Sequence, residues 1–271
     1  MNNNISFYKE INPSLHICDS NFLNQEIYDF DNSILDFISS QSIKEGYFQL
    51  DPIDWKLPIY DMANAIIRLK EQKILTAYAF VYDEYWLMFY KLHKILLRLL
   101  GNYKRIPGFW AWHIDPSKEE SGWGTPHRDK GCLSLFEDGT PKTYSIWLPL
   151  TDTTPLNGCL YIVPADRDPY YNKPNEGILD FKYSDIRALP ATAGSILGWT
   201  DATLHWGSHS SKLATTPRIS IAMEFQKSDV EPFSYGLTDY NYFYNFDERL
   251  KVIWQQISQY RYWLNLGRPK P

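Results

Sequence analysis

Two histidines and one aspartate of this chain have the types and the spacing of a metal-binding triad. His127 and Asp129 are separated by one residue, so on an extended strand both side chains point to the same face and can meet one ion. A third ligand must come from elsewhere, and His205 is the best candidate among the other histidines. Two imidazoles and one carboxylate on one side of an ion leave three positions open, which is typical of non-haem iron(II) oxygenases. The pattern predicts that this triad, His127, Asp129 and His205, binds iron(II).

An arginine and a serine further along the chain suit a carboxylate ligand. Arg218 and Ser220 are also separated by one residue, in a run of β-branched side chains, so they share a strand face. A guanidinium and a hydroxyl can bind a carboxylate together, and arginine suits that role better than lysine because its planar fork is bidentate. Taken alone, an arginine here fits an exposed edge strand better. Together with the triad, the pair predicts a site for the distal carboxylate of a dicarboxylic acid.

The order and spacing of these segments resemble the phytanoyl-CoA dioxygenase-like branch of the iron(II)- and 2-oxoglutarate-dependent oxygenases. The resemblance extends over residues 126–225. The matching segments are, in chain order, Pro126-His127-Arg128-Asp129, residues 144–150, Asn157-Gly158-Cys159-Leu160 with Val163-Pro164, Gly194-Ser195, His205-Trp206-Gly207 and Pro217-Arg218-Ile219-Ser220. The combination is far more specific than any one of these motifs.

The resemblance implies a double-stranded β-helix with the metal between its two sheets. It implies iron(II) held by the triad, 2-oxoglutarate as co-substrate anchored by Arg218 with Ser220, and O2 as the oxidant. It also implies that Trp147 lines the co-substrate pocket. Halogenases of this chemistry have a small residue in place of Asp129, so a carboxylate there implies hydroxylation, desaturation or ring closure.

The chain departs from the family pattern directly after Pro164. It reads Ala165-Asp166-Arg167 where the family usually has Gly-Ser-His. This loop affects substrate fit more than metal binding, so the departure leaves the substrate class open.

A second His-x-Asp motif, His113-Ile114-Asp115, competes for the metal. The distance along the chain from Asp129 to the turn at Gly158 fits the family pattern, whereas the distance from Asp115 does not. We therefore place the iron at the later motif. Strand alternation puts His113 on the face opposite to Trp110 and Trp112, and either face could line the pocket.

The elements that must position these residues change in character near residue 107. Residues 1–106 show apolar side chains at helical spacing over 21–40, 60–75 and 85–100, with a short extended piece over 46–50, and are predicted to be a mostly helical support. Residues 107–228 contain short aromatic and β-branched runs between turn residues, which predicts strands over 109–114, 144–150, 159–163, 194–199 and 218–225. Residues 229–271 comprise an aromatic segment, 240–246, and an amphipathic helix over 247–264. We predict one domain, mainly β with flanking helices, built on a cupin-like jelly roll.

Composition limits the possible partners. A net charge of −5 without a basic stripe argues against nucleic acid. The first residues lack the features of a signal peptide, and no apolar run has the ~18–20 residues of a membrane span. Three cysteines without a CxxC motif argue against a zinc–thiolate site or a disulfide framework. We expect a cytoplasmic enzyme that acts on a small soluble metabolite, an amino acid or a natural-product intermediate, and the oligomeric state is left open.

Three alternative functions are compatible with these residues. A cupin-like metal enzyme that does not use 2-oxoglutarate would keep the triad but would not need Arg218. A non-catalytic jelly-roll protein that binds carbohydrate would use the aromatic side chains for stacking and would tolerate loss of His205. An oxygenase that modifies a protein side chain would need an open groove.

Overall fold

The computed structural model describes residues 2–175 and 177–260. The helices of this part of the chain are α1 (Ile5–Ile11), α2 (Ser20–Leu23), α3 (Asn32–Glu45), α4 (Ile59–Glu71), α5 (Asp83–Lys91), α6 (His93–Leu100) and α7 (Phe246–Gln259). The strands are β1 (Tyr47–Leu50), β2 (Tyr103–Ile114), β3 (Thr143–Pro149), β4 (Leu160–Val163), β5 (Arg187–Leu189), β6 (Ile196–Thr200), β7 (Leu204–Gly207) and β8 (Arg218–Lys227).

These strands form two antiparallel sheets that enclose a cavity. The larger sheet has the order β1-β6-β3-β8-β2, and the smaller one has the order β5-β4-β7. All of the strand pairs within both sheets are antiparallel. The helices α3, α4, α6 and α7 contact the larger sheet. The predicted jelly roll with flanking helices is therefore confirmed.

Strand β8 shows how the larger sheet separates the helical core from the cavity. Its residues Ile219, Ile221, Met223 and Phe225 are buried in the main hydrophobic core with the helices. The alternate residues Arg218, Ala222 and Glu224 line the cavity between the sheets. Successive side chains of a strand point to opposite faces, so one strand supplies both the helix contact and the cavity wall.

A bulge in β2 interrupts its pairing with β8. The register is continuous from Tyr103 to Arg105 and again from Phe109 to Ile114, but it shifts between them. Gln256 of α7 stabilises the bulge, since its side chain accepts from the N–H of Phe109 and donates to the carbonyl of Pro107. The irregular backbone is thus hydrogen-bonded by a residue from the other end of the chain.

Several predicted boundaries are wrong. The helix predicted over 21–40 is two helices, α2 and α3, and the non-helical segment between them donates a hydrogen bond from the N–H of Tyr28 to the carbonyl of Lys91. The helix predicted over 85–100 is interrupted at Leu92, between α5 and α6. Strands β5 (three residues) and β7 (four residues) were not predicted.

The division at residue 107 does not match the sheets. Strand β1 lies in the predicted helical support but pairs with β6, and β2 begins at Tyr103. Helix α7 ends at Gln259, and residues 261–264 of the predicted helix lie outside the described residues. None of the helices within the described ranges has the length and apolarity that crossing a bilayer requires.

A buried ion pair connects α7 to the helical layer, and breaking it should destabilise the protein. Arg249 and Asp83 are both fully buried, 2.6 Å apart, and Arg249 also donates to the carbonyl of Tyr244. Removing one partner of such a pair leaves an uncompensated buried charge. We expect Arg249→Met to lower the free energy of unfolding by about 3–5 kcal/mol, measured by urea denaturation.

The control for this variant is an exposed ion pair. Arg98 pairs with Asp36 on the surface, where Arg98→Met should cost less than about 1 kcal/mol. Equal effects of the two substitutions would contradict the assignment of a stabilising role to the buried pair.

Candidate metal centre

The triad is assembled by a backbone bridge between two segments that lie far apart in the chain. His205 lies on β7, and His127 lies in the long connection between β2 and β3. The two residues exchange both backbone hydrogen bonds, each of 3.0 Å, as an antiparallel pair. Opposed residues of such a pair present their side chains on the same face. The two imidazoles therefore lie side by side, with ring centroids 4.5 Å apart.

The atoms that could bind a metal converge on one point. Oδ1 of Asp129 lies 3.7 Å from Nε2 of His127 and 3.7 Å from Nε2 of His205. The candidate donor atoms of the triad all lie within 4.8 Å of one another. Two nitrogens and one carboxylate oxygen in this arrangement can bind one face of a divalent ion.

The backbone sets the tautomer of both histidines. Nδ1 of His127 lies 2.8 Å from the carbonyl of Thr125, and Nδ1 of His205 lies 3.0 Å from the carbonyl of Thr203. A carbonyl can only accept, so each Nδ1 carries the proton. Each Nε2 then keeps its lone pair for the metal, as is usual for metal-binding histidines.

Asp129 is oriented by two donors. Its Oδ2 accepts from Nε1 of Trp199 at 3.0 Å and from the hydroxyl of Ser145 at 3.3 Å, which leaves Oδ1 directed at the imidazoles. Burial raises the pKa of this carboxyl, but the neighbouring imidazoles, Lys130 and the Trp199 hydrogen bond outweigh it, and the net shift is downward. Asp129 is therefore ionised at neutral pH, as a metal ligand must be.

The metal affinity of this site should depend on pH in a defined direction. Burial, reinforced by the neighbouring His205, lowers the pKa of His127 below its ordinary value. His127 is then neutral at pH 7, and protons compete with the metal only at lower pH. We expect cobalt(II) affinity to change little near neutrality and to fall by about tenfold per pH unit for each imidazole that must lose a proton, once the pH is below the pKa.

Anaerobic cobalt(II) titrations between about pH 5 and 8 test this dependence. The thermal unfolding of the metal-free protein at each pH is the control for loss of fold. An affinity that already falls about tenfold between pH 8 and pH 7 in folded protein would contradict the lowered pKa of His127.

The competing His-x-Asp motif lies elsewhere. His113 is on the face of β2 opposite to the cavity, where its Nδ1 lies 2.9 Å from Nζ of Lys70. Asp115 caps a short turn by accepting from the N–H of Ser117. The structure therefore brings His127 and Asp129, and not the earlier motif, to His205.

The cavity beside the triad has a volume of about 80 Å³ and is mostly apolar, with seven aromatic side chains in its lining. It is lined by the triad and by Gly108, Phe109, Trp110, Trp112, Gly122, Trp123, Ser145, Trp147, Leu160, Trp199, Gly207, Arg218, Ala222, Met223, Glu224 and Tyr260. Of the two faces of β2, the one with Trp110 and Trp112 supplies the wall. The segment 240–246 does not line the cavity; Tyr240 stacks on His93, and Tyr244 packs against Trp86.

Arg218 reaches the cavity as a buried cation without an acidic partner among the described residues. Only 2% of its surface is exposed, its Nη1 donates to the carbonyl of Gly158, and its Nε has no hydrogen-bond partner. A Cβ on Gly207 would lie 2.8 Å from Nη1, so the guanidinium occupies space that only glycine leaves. Burial lowers the pKa of Arg218 to about 10, which still leaves it charged at neutral pH. An unpaired buried charge is unfavourable, which points to an anionic ligand.

The two other predicted co-substrate residues lie close to Arg218. Trp147 is buried and lines the cavity, with its ring centroid 6.0 Å from Cζ of Arg218. Ser220 shares the strand face of Arg218, and its hydroxyl is fully buried without a partner, but it does not itself line the cavity. The structure thus places Trp147 and Arg218 in the cavity lining, whereas Ser220, on the same strand face as Arg218, is buried and does not line it.

Sequence reasoning missed a charged cluster next to the triad. Lys130 lies 2.8 Å from Asp201 and also forms an ion pair with Glu224. The hydroxyl of Ser145 connects Asp201, at 2.7 Å, to Asp129. Glu224 could have been found, since it continues the alternation of Arg218 and Ser220 on β8. Lys130 and Asp201 show no comparable signal in the sequence.

Solved structures of similar fold include several non-haem enzymes. The epimerase SnoN, determined with Fe³⁺, alpha-ketoglutarate and nogalamycin RO, is 15% identical, with a TM-score of 0.57 over 73% of this chain and 85% of that chain. The non-haem monooxygenase ThoJ is 13% identical, with a TM-score of 0.57 over 84% and 97%. EctD from S. alaskensis is 14% identical, with a TM-score of 0.50 over 77% and 84%. None of the curated proteins compared with this sequence matches it.

The family model of phytanoyl-CoA dioxygenase matches residues 75–213, slightly more than half of the chain. The matched region contains all three residues of the triad. Iron(II), 2-oxoglutarate and O2 are the cofactor and co-substrates of this family. The chain therefore belongs to the phytanoyl-CoA dioxygenase family and is an oxygenase of the iron- and 2-oxoglutarate-dependent class.

Proposed function

We propose that this oxygenase hydroxylates an unactivated C–H bond of a small soluble metabolite, with iron(II) bound by His127, Asp129 and His205 and 2-oxoglutarate anchored by Arg218. The observation that carries the proposal is the pairing of two features in one cavity. One is a triad whose Nε2 and Oδ1 atoms converge, and the other is a buried guanidinium without an acidic partner among the described residues. A dicarboxylate that binds metal at one end and arginine at the other satisfies both.

The residues present fit these groups. Two imidazole nitrogens and one carboxylate oxygen suit iron(II), and they leave positions for further ligands. The guanidinium of Arg218 suits the distal carboxylate, with Trp147 against it. Ser220 would contribute only if its buried hydroxyl gained access to the ligand. The bound iron, together with 2-oxoglutarate and O2, supplies the oxidising power for C–H cleavage.

The protein's own contribution is to hold the metal, to orient its ligands and to exclude water. The carbonyls of Thr125 and Thr203 fix the imidazole rings, and Trp199 fixes the carboxylate of Asp129. Because these partners are already in place, little reorganisation is needed when metal binds. The aromatic walls keep water away from the reacting centre and limit which substrate C–H bond can approach the metal.

The first experiment is an anaerobic titration of the protein with iron(II) and then 2-oxoglutarate, followed by visible absorbance. A weak charge-transfer band that needs both additions is the expected result. If iron binds but the keto acid produces no band, a metal enzyme that does not use 2-oxoglutarate becomes the better assignment. Failure of both to bind would contradict the proposal as a whole.

Product analysis separates hydroxylation from related outcomes. Metabolite fractions that stimulate succinate release would be analysed by mass spectrometry. A gain of one oxygen atom supports hydroxylation, a loss of two hydrogens indicates desaturation or ring closure, and an unchanged mass indicates epimerisation.

A further inference from the structure

One carboxylate of the cavity is used neither by the metal triad nor by the proposed 2-oxoglutarate site. Glu224 lies on β8 and is paired across the sheet with Ser145, whose hydroxyl contacts Asp129. Directly opposed residues of an antiparallel pair have their Cβ atoms about 4.5–5.5 Å apart. Glu224 therefore faces the same cavity as the metal ligands, on the same wall as Arg218 but further along the strand.

The backbone around Glu224 leaves room for its side chain. The bulge of β2 lies opposite, and a Cβ on Gly108 would lie 2.9 Å from Cδ of Glu224. Any side chain at this position would push the carboxylate out of place. Gln256 also hydrogen-bonds to the backbone of the bulge, which fixes the position of this part of the cavity wall.

Three aromatic rings line the cavity together with this carboxylate and the metal ligands. The rings of Trp110 and Tyr260 meet edge to face with centroids 5.2 Å apart, and those of Trp123 and Tyr260 are also 5.2 Å apart. Trp123 in turn lies 6.2 Å from the ring of His127. We call these three rings the aromatic group. Aromatic faces attract ammonium and alkylammonium groups, and tryptophan does so most strongly.

The charge balance of the site favours a cation. The cavity and the charged cluster beside it together hold three carboxylates, those of Asp129, Asp201 and Glu224. They hold two cations, Lys130 and Arg218. Bound iron(II) and the dianion of 2-oxoglutarate cancel one another, so the loaded cavity keeps one excess negative charge. Burial raises the pKa of Glu224 to about 7, although the nearby Lys130 lowers it. The protein by itself therefore stabilises the negative charge of Glu224 incompletely. A substrate with one positive charge would supply what is missing.

We propose that the substrate carries a cationic nitrogen, bound by the carboxylate of Glu224 and the aromatic group of Trp110, Trp123 and Tyr260. This inference rests on the proposed function, because the loaded cavity includes iron and 2-oxoglutarate. It narrows the substrate class from any small metabolite to amines and quaternary ammonium compounds. The C–H bond to be oxidised would lie on the metal side of that nitrogen.

Calorimetric titration of the anaerobic iron(II)–2-oxoglutarate complex with matched probes tests the proposal. Choline is compared with its uncharged carbon isostere 3,3-dimethylbutanol, and pentylammonium is compared with pentanol. We expect at least one ammonium probe to bind about tenfold or more tightly than its neutral partner. In Glu224→Gln this preference should fall by about tenfold, while binding of the neutral partner stays unchanged.

The control variant is Glu231→Gln, the same substitution at an exposed carboxylate, which should retain the full preference. Tyr260→Leu is a second test, since it removes a ring without touching the Lys130 ion pairs, and it too should weaken the ammonium probe. The charge-transfer band reports whether each variant still binds iron and 2-oxoglutarate.

The outcomes separate this inference from the proposed function. If the wild type shows no charge-transfer band, the proposed function fails. If the band forms but neutral probes bind as well as ammonium probes, or no ammonium probe binds at millimolar concentration, the cation site is wrong. A preference that survives in Glu224→Gln with an intact band would overturn the role of Glu224.

Discussion

Asp129→Ala is expected to reduce iron(II) affinity by more than about 100-fold and to reduce succinate release to background. Loss of an outer partner of a metal ligand already costs about 10–100-fold, and here the ligand itself is removed. The carboxylate is the anionic member of the triad, and its Oδ1 lies 3.7 Å from each of the imidazole nitrogens. Without it, two neutral imidazoles remain to bind a divalent ion. Equilibrium titration with iron(II) and a succinate assay measure the two effects.

A less disruptive variant separates charge from packing. In Asp129→Ala, Trp199 and Ser145 lose their acceptor, which could also loosen the local structure. Asp129→Asn keeps the shape and can still accept these hydrogen bonds, but it lacks the charge, so iron affinity should still fall strongly. Both variants should have a Tm close to that of the wild type, which would show that their fold is intact.

The competing motif supplies the matched control. Asp115→Ala changes the same residue type in the same His-x-Asp pattern, but Asp115 caps a turn and does not lie in the triad. Iron affinity and succinate release should stay near the wild-type values. If Asp115→Ala abolished iron binding and Asp129→Ala did not, the assignment of the metal site would be reversed.

Arg218→Met is expected to raise the KM for 2-oxoglutarate by about 30- to 3,000-fold with iron affinity retained. Truncating one partner of a buried, hydrogen-bonded charge pair costs about 2–5 kcal/mol, and each 1.4 kcal/mol is tenfold. Arg218→Lys keeps the charge but not the planar fork, so its effect should be intermediate. The KM is measured by succinate release at saturating substrate, and iron binding is measured separately.

Stability provides a second readout for Arg218. In the absence of 2-oxoglutarate its guanidinium is buried without an acidic partner among the described residues. Arg218→Met should therefore leave the ligand-free protein as stable as the wild type, or more stable. Adding 2-oxoglutarate to the iron-loaded protein should raise the Tm of the wild type and not that of the variant.

Arg98→Met is the matched control, since Arg98 is a partly exposed arginine on α6. It should change neither the KM nor the response of the Tm. If Arg218→Met bound 2-oxoglutarate as well as the wild type, the carboxylate anchor would have to be another residue.

The chemistry of the site was visible in local patterns. His127 and Asp129, and likewise Arg218 and Ser220, are separated by one residue, and the two-residue period of a strand puts such pairs on one face. The alternation of β8 also separates its core residues from those of the cavity, except that Met223 contacts both. The family resemblance was carried by the same residues and is confirmed by the match over residues 75–213. The roles of the individual site residues remain predictions.

Other features depend on contacts between distant segments. The spacing to Gly158 favoured the motif at His127 over the one at His113, but how that motif reaches the third ligand depends on the backbone pairing of His127 with His205. Which face of β2 lines the cavity was likewise open until pairing with β8 set it. The non-helical segment before α3 is another case, since its backbone bonds to Lys91, a residue distant in the chain, where the sequence pattern predicts a helix.

What the amino-acid sequence determined by itself is therefore the kind of chemistry, the fold class and which residues of a strand share a face. Only the tertiary structure decided which segments meet: the two halves of the triad, the bulge of β2 held by Gln256, and the position of Glu224 over Gly108. The physical reason is that side-chain direction follows from a residue's own backbone geometry. Pairing and register depend instead on burial and hydrogen bonds between residues far apart in the chain.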